Sequence, residues 1–257
     1  MIMRKDFIYT QTRLQARHGM RPDERTWGLV ESQKDLANFL QSARQTSLSQ
    51  WVSGLQATDN HHFIESTLFH HYLDYVLEVS AWVPSEWRKA VHWVVCLAYL
   101  PVIRHLLKGN TAYSWMLDDA RTKLVSASGL EQRMTYFLQS EFAPLFKYWS
   151  TGDSLVNAWL MQWRNLWPAV NSEQKKSFTA FINRVQAHRT LFEELPIDRT
   201  WQQREKLVFK LTMMFRRYTC EPVNVFVHLL LVALDIERLR GDAIQRGLFT
   251  DYREMSA

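Results

Sequence analysis

Apolar residues recur at helical spacing along almost the whole chain. Ile64, Leu68, Tyr72, Val76 and Val79 mark one stripe, and Phe178, Phe181, Ile182, Val185, Phe192 and Leu195 mark a second. Val156, Trp159, Leu160, Trp163 and Trp167 form a third, with the turn residues Gly152, Asp153 and Ser154 just before it. The second stripe has its own start signal, Asn171 followed three residues later by Gln174, a variant of the capping box, and it stops before Pro196. Further turn residues cluster at Gly19 to Pro22, Gly54 to Asn60, Pro84-Ser85, Gly109-Asn110, Ser126 to Gly129, Thr151-Gly152 and Pro196 to Thr200. This punctuation predicts an all-α protein of roughly nine helices joined by short connections.

The two longest apolar runs are Val91–Ile103, interrupted by His92 and Pro101, and Val223–Leu234, interrupted by Asn224 and His228. Both fall short of the roughly 20 residues that cross a bilayer, so they read as buried core helices. Pro101 is expected to kink or split the first. Pro222 is expected just inside the start of a helix over Val223–Arg240, where its missing N–H costs nothing. The two runs share an outline, leaving through Ile103 to Gly109 and through Ile236 to Gly241 into Arg, Lys and Gly. An internal duplication accounts for this, and so does the general likeness of amphipathic helices. With no Ser/Gly linker and no low-complexity segment, residues 1–257 read as a single all-helical domain.

Composition narrows the fold. Only 8 glycines and 7 prolines occur in 257 residues, against 11 tryptophans and 13% aromatics. Hairpin-rich sheets and phosphate-cradling loops both consume glycine, so they are disfavoured. A 47% hydrophobic and 22% charged content excludes general disorder. The net charge of +5 divides into +2 over residues 1–128 and +3 over 129–257, so there is no basic arm or acidic tail. Such a balance favours docking to an acidic partner or membrane surface without demanding nucleic acid, and none is expected. Met1 to Thr10 contains an Arg-Lys pair but no apolar signal core. Cys96 and Cys220 each sit in an apolar context and read as buried reduced thiols.

No motif for catalysis appears. His61, His62, His70 and His71 stand near Glu65 and Asp74, yet positions 61 and 70 point in different directions on one helix. A solvated helix face explains them, so no metal or cofactor is expected. Glu-x-x-His pairs, a Gly-x-Ser-x-Gly elbow, phosphate loops and Gly-x-Gly-x-x-Gly fingerprints are all missing. The most charged local feature is Arg199 to Tyr218, with Arg199, Arg204, Lys206, Lys210, Arg216 and Arg217 against the single acid Glu205. Its apolar side reads Leu207, Leu211, Met214, Phe215 and Tyr218. This basic amphipathic helix suits either an anionic surface or an ordinary position with one side in solvent.

Three stretches carry a family likeness. Near the start, Tyr9 is followed by Arg13, Leu14, Ala16 and Arg17 in an aromatic then Arg-hydrophobic-x-Ala-Arg pattern, and then by helices bearing Trp27, Leu29, Leu36, Phe39 and Leu40. In the middle, Ile64-Glu65 and Leu68 lead through Tyr72 and Leu77 to the apolar pair of helices over Trp87–Lys108. At the end, Asp235-Ile236-Glu237-Arg238-Leu239-Arg240 is similar to a closing Glu-Ile-x-Asn-Leu-Arg helix, with Arg238 in the place of Asn. In these respects the chain resembles the C-type subunit of archaeal and bacterial V/A-type ATPases, whose counterpart in eukaryotic V-ATPases is the d-type subunit.

The resemblance implies a noncatalytic, funnel-shaped, all-helical bundle with internal pseudo-threefold repeats. It implies a central stalk socket that joins the rotating shaft to the membrane proteolipid ring of a proton- or sodium-translocating V-type ATPase. The expected partners are the stalk subunits and the ring, with membrane contact only through them, on the cytoplasmic face. Arg13 and Arg17 then become candidates for the shaft-facing cavity, with i,i+4 surface pairing as the plain alternative. The alternative function is a stand-alone helical adaptor that binds a protein or anionic surface through residues 199–218, with Arg204, Lys206, Lys210 and Arg217 as contacts.

Overall fold

The computed structural model describes residues 6–127, 129–149, 154–194 and 197–254. Among them all regular structure is helical, with no strand. Short polar side chains start the helices by accepting otherwise unpaired N–H groups of the first turn. Asp23 accepts from Thr26 N at 2.8 Å and begins α2 (Glu24–Glu31), after α1 (Ile8–Gly19). Asp35 accepts from Asn38 N at 2.8 Å ahead of α3 (Leu36–Arg44), and Asn60 accepts from Phe63 N at 2.9 Å ahead of α4 (His61–Trp82). The helices gather into two compact units, Met1–Pro84 with Ala169–Ala257, and Ser85–Pro168.

The first unit holds α1 to α4 together with α12 (Ser172–Glu194), α13 (Ile197–Arg217) and α14 (Val223–Glu254). The capping box is present at α12. Asn171 Oδ1 accepts from Gln174 N at 2.9 Å, and Gln174 Oε1 accepts in return from Asn171 N at 3.0 Å. Phe178, Phe181 and Ile182 of the expected stripe are buried, whereas Leu195 lies outside the described residues. On α4 the stripe of Ile64, Leu68, Val76 and Val79 is buried, with Tyr72 half-buried. The expected turn over Pro196 to Thr200 is shorter than that, because α13 is already helical from Ile197.

The axis of this unit is α14, 32 residues and therefore about 48 Å long. It touches α1, α3, α4, α12 and α13. Residues 222–229 are buried on every side, which is why apolar residues fill this stretch except at Asn224 and His228. The helix extends well past the expected end at Arg240, since Gly241 is accommodated within it and Ala243 is still buried. Arg246 fastens its later turns, donating to Glu31 O and Gln33 O at 2.8 Å each. Those carbonyls belong to the open end of α2, so one guanidinium closes both the helix end and the loop after it.

The second unit begins with a 3₁₀ turn (Ser85–Trp87) and continues through α5 (Arg88–His92), α6 (Val94–Leu107), α7 (Ser114–Asp118), α8 (Lys123–Ala127), α9 (Leu130–Gln139), α10 (Ala143–Trp149) and α11 (Leu155–Asn165). Ser85–Leu107 is long and apolar enough to cross a membrane by composition, yet most of it is buried inside the protein. Of the expected kink or split at Pro101, the split does not occur, since Pro101 lies inside α6. Both Pro101 and Leu97, whose carbonyl the proline leaves without its helical donor, lie on the exposed side, where water can donate to that carbonyl instead. The break falls earlier, at Trp93. Its carbonyl takes a tight-turn bond from Cys96 N at 3.1 Å and a second from the Trp159 indole at 2.9 Å, while its own indole donates to Trp159 O at 3.2 Å.

The tryptophan stripe of α11 fills this core. Trp159 stacks on Trp163 with ring centres 5.4 Å apart, and Trp167 meets Trp163 edge-on at 4.8 Å. The buried stripe begins at Leu155 and Ala158, one position off the expected Val156, which is only half-buried. Tyr99 donates to Asp119 Oδ2 at 2.6 Å, and Asp119 Oδ1 accepts from Arg121 N at 2.8 Å and Thr122 N at 3.2 Å. Burial and this carboxylate together push the Tyr99 hydroxyl pKa up. Cys96 is buried here, its thiol pushed up to about 12 chiefly by desolvation, so it stays protonated. Cys220 in the first unit is also a free thiol, but half-buried, which departs from the fully buried expectation.

Candidate functional site

The polar residues that interrupt the apolar run of α14 face α1 and form a seam inside the first unit. Asn224 and His228 are four positions apart, so they share one side of the helix, and Asp235 follows two turns later. Gln11, His18 and Arg21 of α1 and its C-terminal turn meet them in the same order. Asn224 Nδ2 donates to Gln11 Oε1 at 3.0 Å, the His18 and His228 ring centres are 6.2 Å apart, and Arg21 donates to both Asp235 oxygens at 2.6 and 2.8 Å. Since both sequences advance together along the seam, α1 and the first half of α14 run parallel. Gln11 Oε1 also accepts from Cys220 N at 3.0 Å, tying α1 to the turn between α13 and α14.

His228 is fully buried, and its Nε2 lies 2.7 Å from the Tyr75 hydroxyl of α4. Desolvation, reinforced by the positive surroundings of His18, Arg21 and Arg17, lowers its pKa to about 3. His18 stacks on Phe215 of α13 at 4.1 Å and is lowered to about 4, again by burial first and then by Arg21 and Arg216. Both imidazoles are therefore neutral at physiological pH. Burial raises the Asp235 pKa, and the Arg21 guanidinium pulls it back. Gln11 Nε2, His18 Nδ1, Asn224 Oδ1 and His228 Nδ1 are buried without a hydrogen-bond partner in the protein. The contacts that are made, from Gln11 to Asn224 and from Arg21 to Asp235, fix which residues of α1 and α14 face one another.

Arg13 and Arg17 are brought together one turn along α1. Arg17 reaches Glu78 of α4 at 2.8 Å and Arg13 approaches the same oxygen at 3.9 Å. Both guanidinium groups lie over the Trp82 ring, at 4.8 Å for Arg13 and 5.9 Å for Arg17. Arg17 is half-buried in this contact, whereas Arg13 keeps about half of its side chain exposed at 46%. Arg204 is not part of an outward basic face, since it pairs with Glu237 of α14 at 2.8 Å. Lys206, Lys210 and Arg217 do share the outer face of α13 and are exposed there, with Arg217 5.7 Å from the Tyr218 ring. The Arg199 side chain lies outside the described residues.

Arg238, which departs from the resembled closing motif, lies 4.5 Å above the Trp27 ring and donates to Glu31 at 2.5 and 3.0 Å. Arg240 pairs with Glu65 of α4 at 2.5 Å. Among the histidines of the metal search, His70 Nδ1 is 2.7 Å from Ser66 O and His71 Nδ1 is 2.9 Å from Trp51 O. No group of three His, Cys, Asp or Glu side chains able to hold a metal occurs among the described residues. The seam residues Gln11, His18, Arg21 and Tyr75 were not singled out by sequence reasoning. The signal lay in Asn224 and His228, two polar residues inside an apolar run, which must find partners when the run is buried.

Comparison of the chain with protein-family models, curated proteins and solved structures found no match.

Proposed function

We propose that the protein is a noncatalytic rotor-coupling subunit of the V-type ATPase kind, seated between central stalk subunits and a membrane proteolipid ring. One observation supports this reading. The opening stretch, the closing stretch and the Ile64–Leu77 part of the middle one meet in the first unit, through Arg17–Glu78, Arg21–Asp235 and Arg240–Glu65 at 2.8, 2.6 and 2.5 Å, while the Trp87–Lys108 part belongs to the second unit. A part that transmits torque needs its opening and closing helices locked to one another, so that load enters a rigid body rather than a hinge. Parallel α1 and α14, bonded at both ends of their seam, meet that demand. In this reading Arg13, the more exposed of the two α1 arginines, faces the shaft, and Arg17 holds the helix that presents it.

The full-length chain, tagged and recovered from gently solubilised membranes of its own host, is expected to bring down stalk and proteolipid subunits identified by mass spectrometry. Arg13→Ala, which adds no charge beside Glu78, is expected to reduce that recovery at least tenfold while the circular dichroism spectrum is unchanged. A host whose assembled ATPase purifies without this chain, with or without the substitution, overturns the proposal.

A further inference from the structure

The outer face of α13 is built unlike an ordinary solvated helix. Phe209 is 68% exposed and Met213 49% exposed, one turn apart along the middle of that face. By helical spacing, Lys206, Lys210 and Arg217 lie along one flank of this apolar line, and Glu205 and, three turns later, Arg216 lie along the other. All five of these charged residues are exposed. The inward side of α13 is already occupied, because Leu207, Leu211, Met214 and Phe215 are buried, so packing of the unit gives no reason for Phe209 to be apolar.

We propose that this face rests on an anionic lipid bilayer, with Phe209 and Met213 entering the headgroup–acyl boundary and Lys206, Lys210 and Arg217 reaching lipid phosphates. Charge complementarity selects an anionic partner, since four exposed cations surround the apolar line against one exposed acid. The shape selects a fluid partner. Two side chains standing on a convex helix ridge need a surface that yields around them, and long Lys and Arg stems let the charges spread to phosphates while the apolar groups go deeper. A folded acidic protein would have to supply a pocket for each apolar side chain. The proposal is independent of the rotor-coupling reading and adds direct lipid contact to the contact through partners that the family resemblance implies.

The test is flotation of the purified full chain with vesicles of phosphatidylcholine alone and of phosphatidylcholine mixed with phosphatidylglycerol. Binding is expected to the mixed vesicles only and to weaken as salt is raised. Removing a cation lowers the partition coefficient about fivefold, so Lys206→Ala with Lys210→Ala is expected to lose about 25-fold. Phe209→Ser with Met213→Ser, which leaves every charge in place, is expected to lose about tenfold or more. These are exposed positions, and unchanged circular dichroism of each variant separates lost binding from lost folding. Equal flotation with neutral vesicles overturns the proposal, as does no flotation at all. Loss with the lysine pair but none with the Phe209 and Met213 pair also overturns it, because a face that reads charge alone is one for an acidic protein.

Discussion

The Tyr75 hydroxyl and His228 Nε2 stand 2.7 Å apart in the interior of the first unit, joining residues separated by 153 positions. The pair works as a neutral hydrogen bond. It depends on an imidazole whose pKa in the folded chain is about 3, against an ordinary 6.5 when the chain is unfolded.

The stability contributed by this pair therefore has a defined pH range. As pH falls below about 6.5 the unfolded chain takes up a proton at His228 and the folded chain does not, so proton binding favours unfolding. The contribution is complete above that value and is lost progressively down to about 3, and His18, lowered to about 4, acts in the same direction. The loss from His228 alone is on the order of a few kcal/mol. Urea unfolding measured between neutral and mildly acidic pH is expected to show this slope. His228→Gln, which cannot titrate, is expected to flatten it, and an unflattened slope would assign the acid sensitivity to other groups.

Arg21 and Asp235 close the far end of the seam, with Asp235 buried and Arg21 nearly so. Removing one charge strands the other in a desolvated place, so Arg21→Met is expected to cost about 3–5 kcal/mol. The double variant Arg21→Met with Asp235→Leu replaces both by apolar groups and is expected to recover most of that loss. A double-mutant cycle from denaturant titrations measures it, and additive losses would contradict the buried pair.

Cys220 adopts a positive φ of 59° in the turn between α13 and α14. This left-handed conformation costs a side-chain-bearing residue about 1–2 kcal/mol, and glycine adopts it without that penalty. Cys220→Gly keeps the N–H that Gln11 accepts and is expected to hold or raise the unfolding midpoint. Cys220→Val is expected to lower it. A clear loss with glycine would show that the Cys220 side chain matters more than its backbone.

In the second unit, Trp93 and Trp159 exchange two indole-to-carbonyl bonds across 66 positions, at 3.2 and 2.9 Å. Trp159→Phe leaves the Trp93 carbonyl with only the Cys96 bond and trims a buried ring. The expected cost is about 1–3 kcal/mol, read as a lower denaturation midpoint. In the first unit, Asn171→Ala removes one arm of the capping box and is expected to cost about 1 kcal/mol.

Local rules made much of this visible beforehand. The capping box at Asn171 and Gln174 depends only on residues three apart, and the stripe of Ile64, Leu68, Val76 and Val79 only on the helical repeat. The candidate site was less legible. Asn224 and His228 announced a polar interruption, but nothing local names Gln11, His18 and Tyr75 as the groups that face them. The same limit applies to Arg204, grouped with Lys206 and Lys210 by its neighbours in sequence and drawn instead to Glu237 by its angle on α13.

By itself, the sequence determined that this chain is helical, with buried tryptophans, few glycines and amphipathic segments of known polarity, because those properties follow from the helical repeat and from local hydrogen bonding. Only the tertiary structure decided that α1 runs parallel to α14, that Trp93 rather than Pro101 breaks the apolar segment of the second unit, and that Arg17, Arg21 and Arg240 serve as ties within the first unit. It also separated the paired arginine of α13 from the exposed lysines beside Phe209. The physical reason is range: a helix is specified by neighbours within one or two turns, whereas an ion pair or a buried polar contact is specified by whichever distant residue the packing brings within about 3 Å.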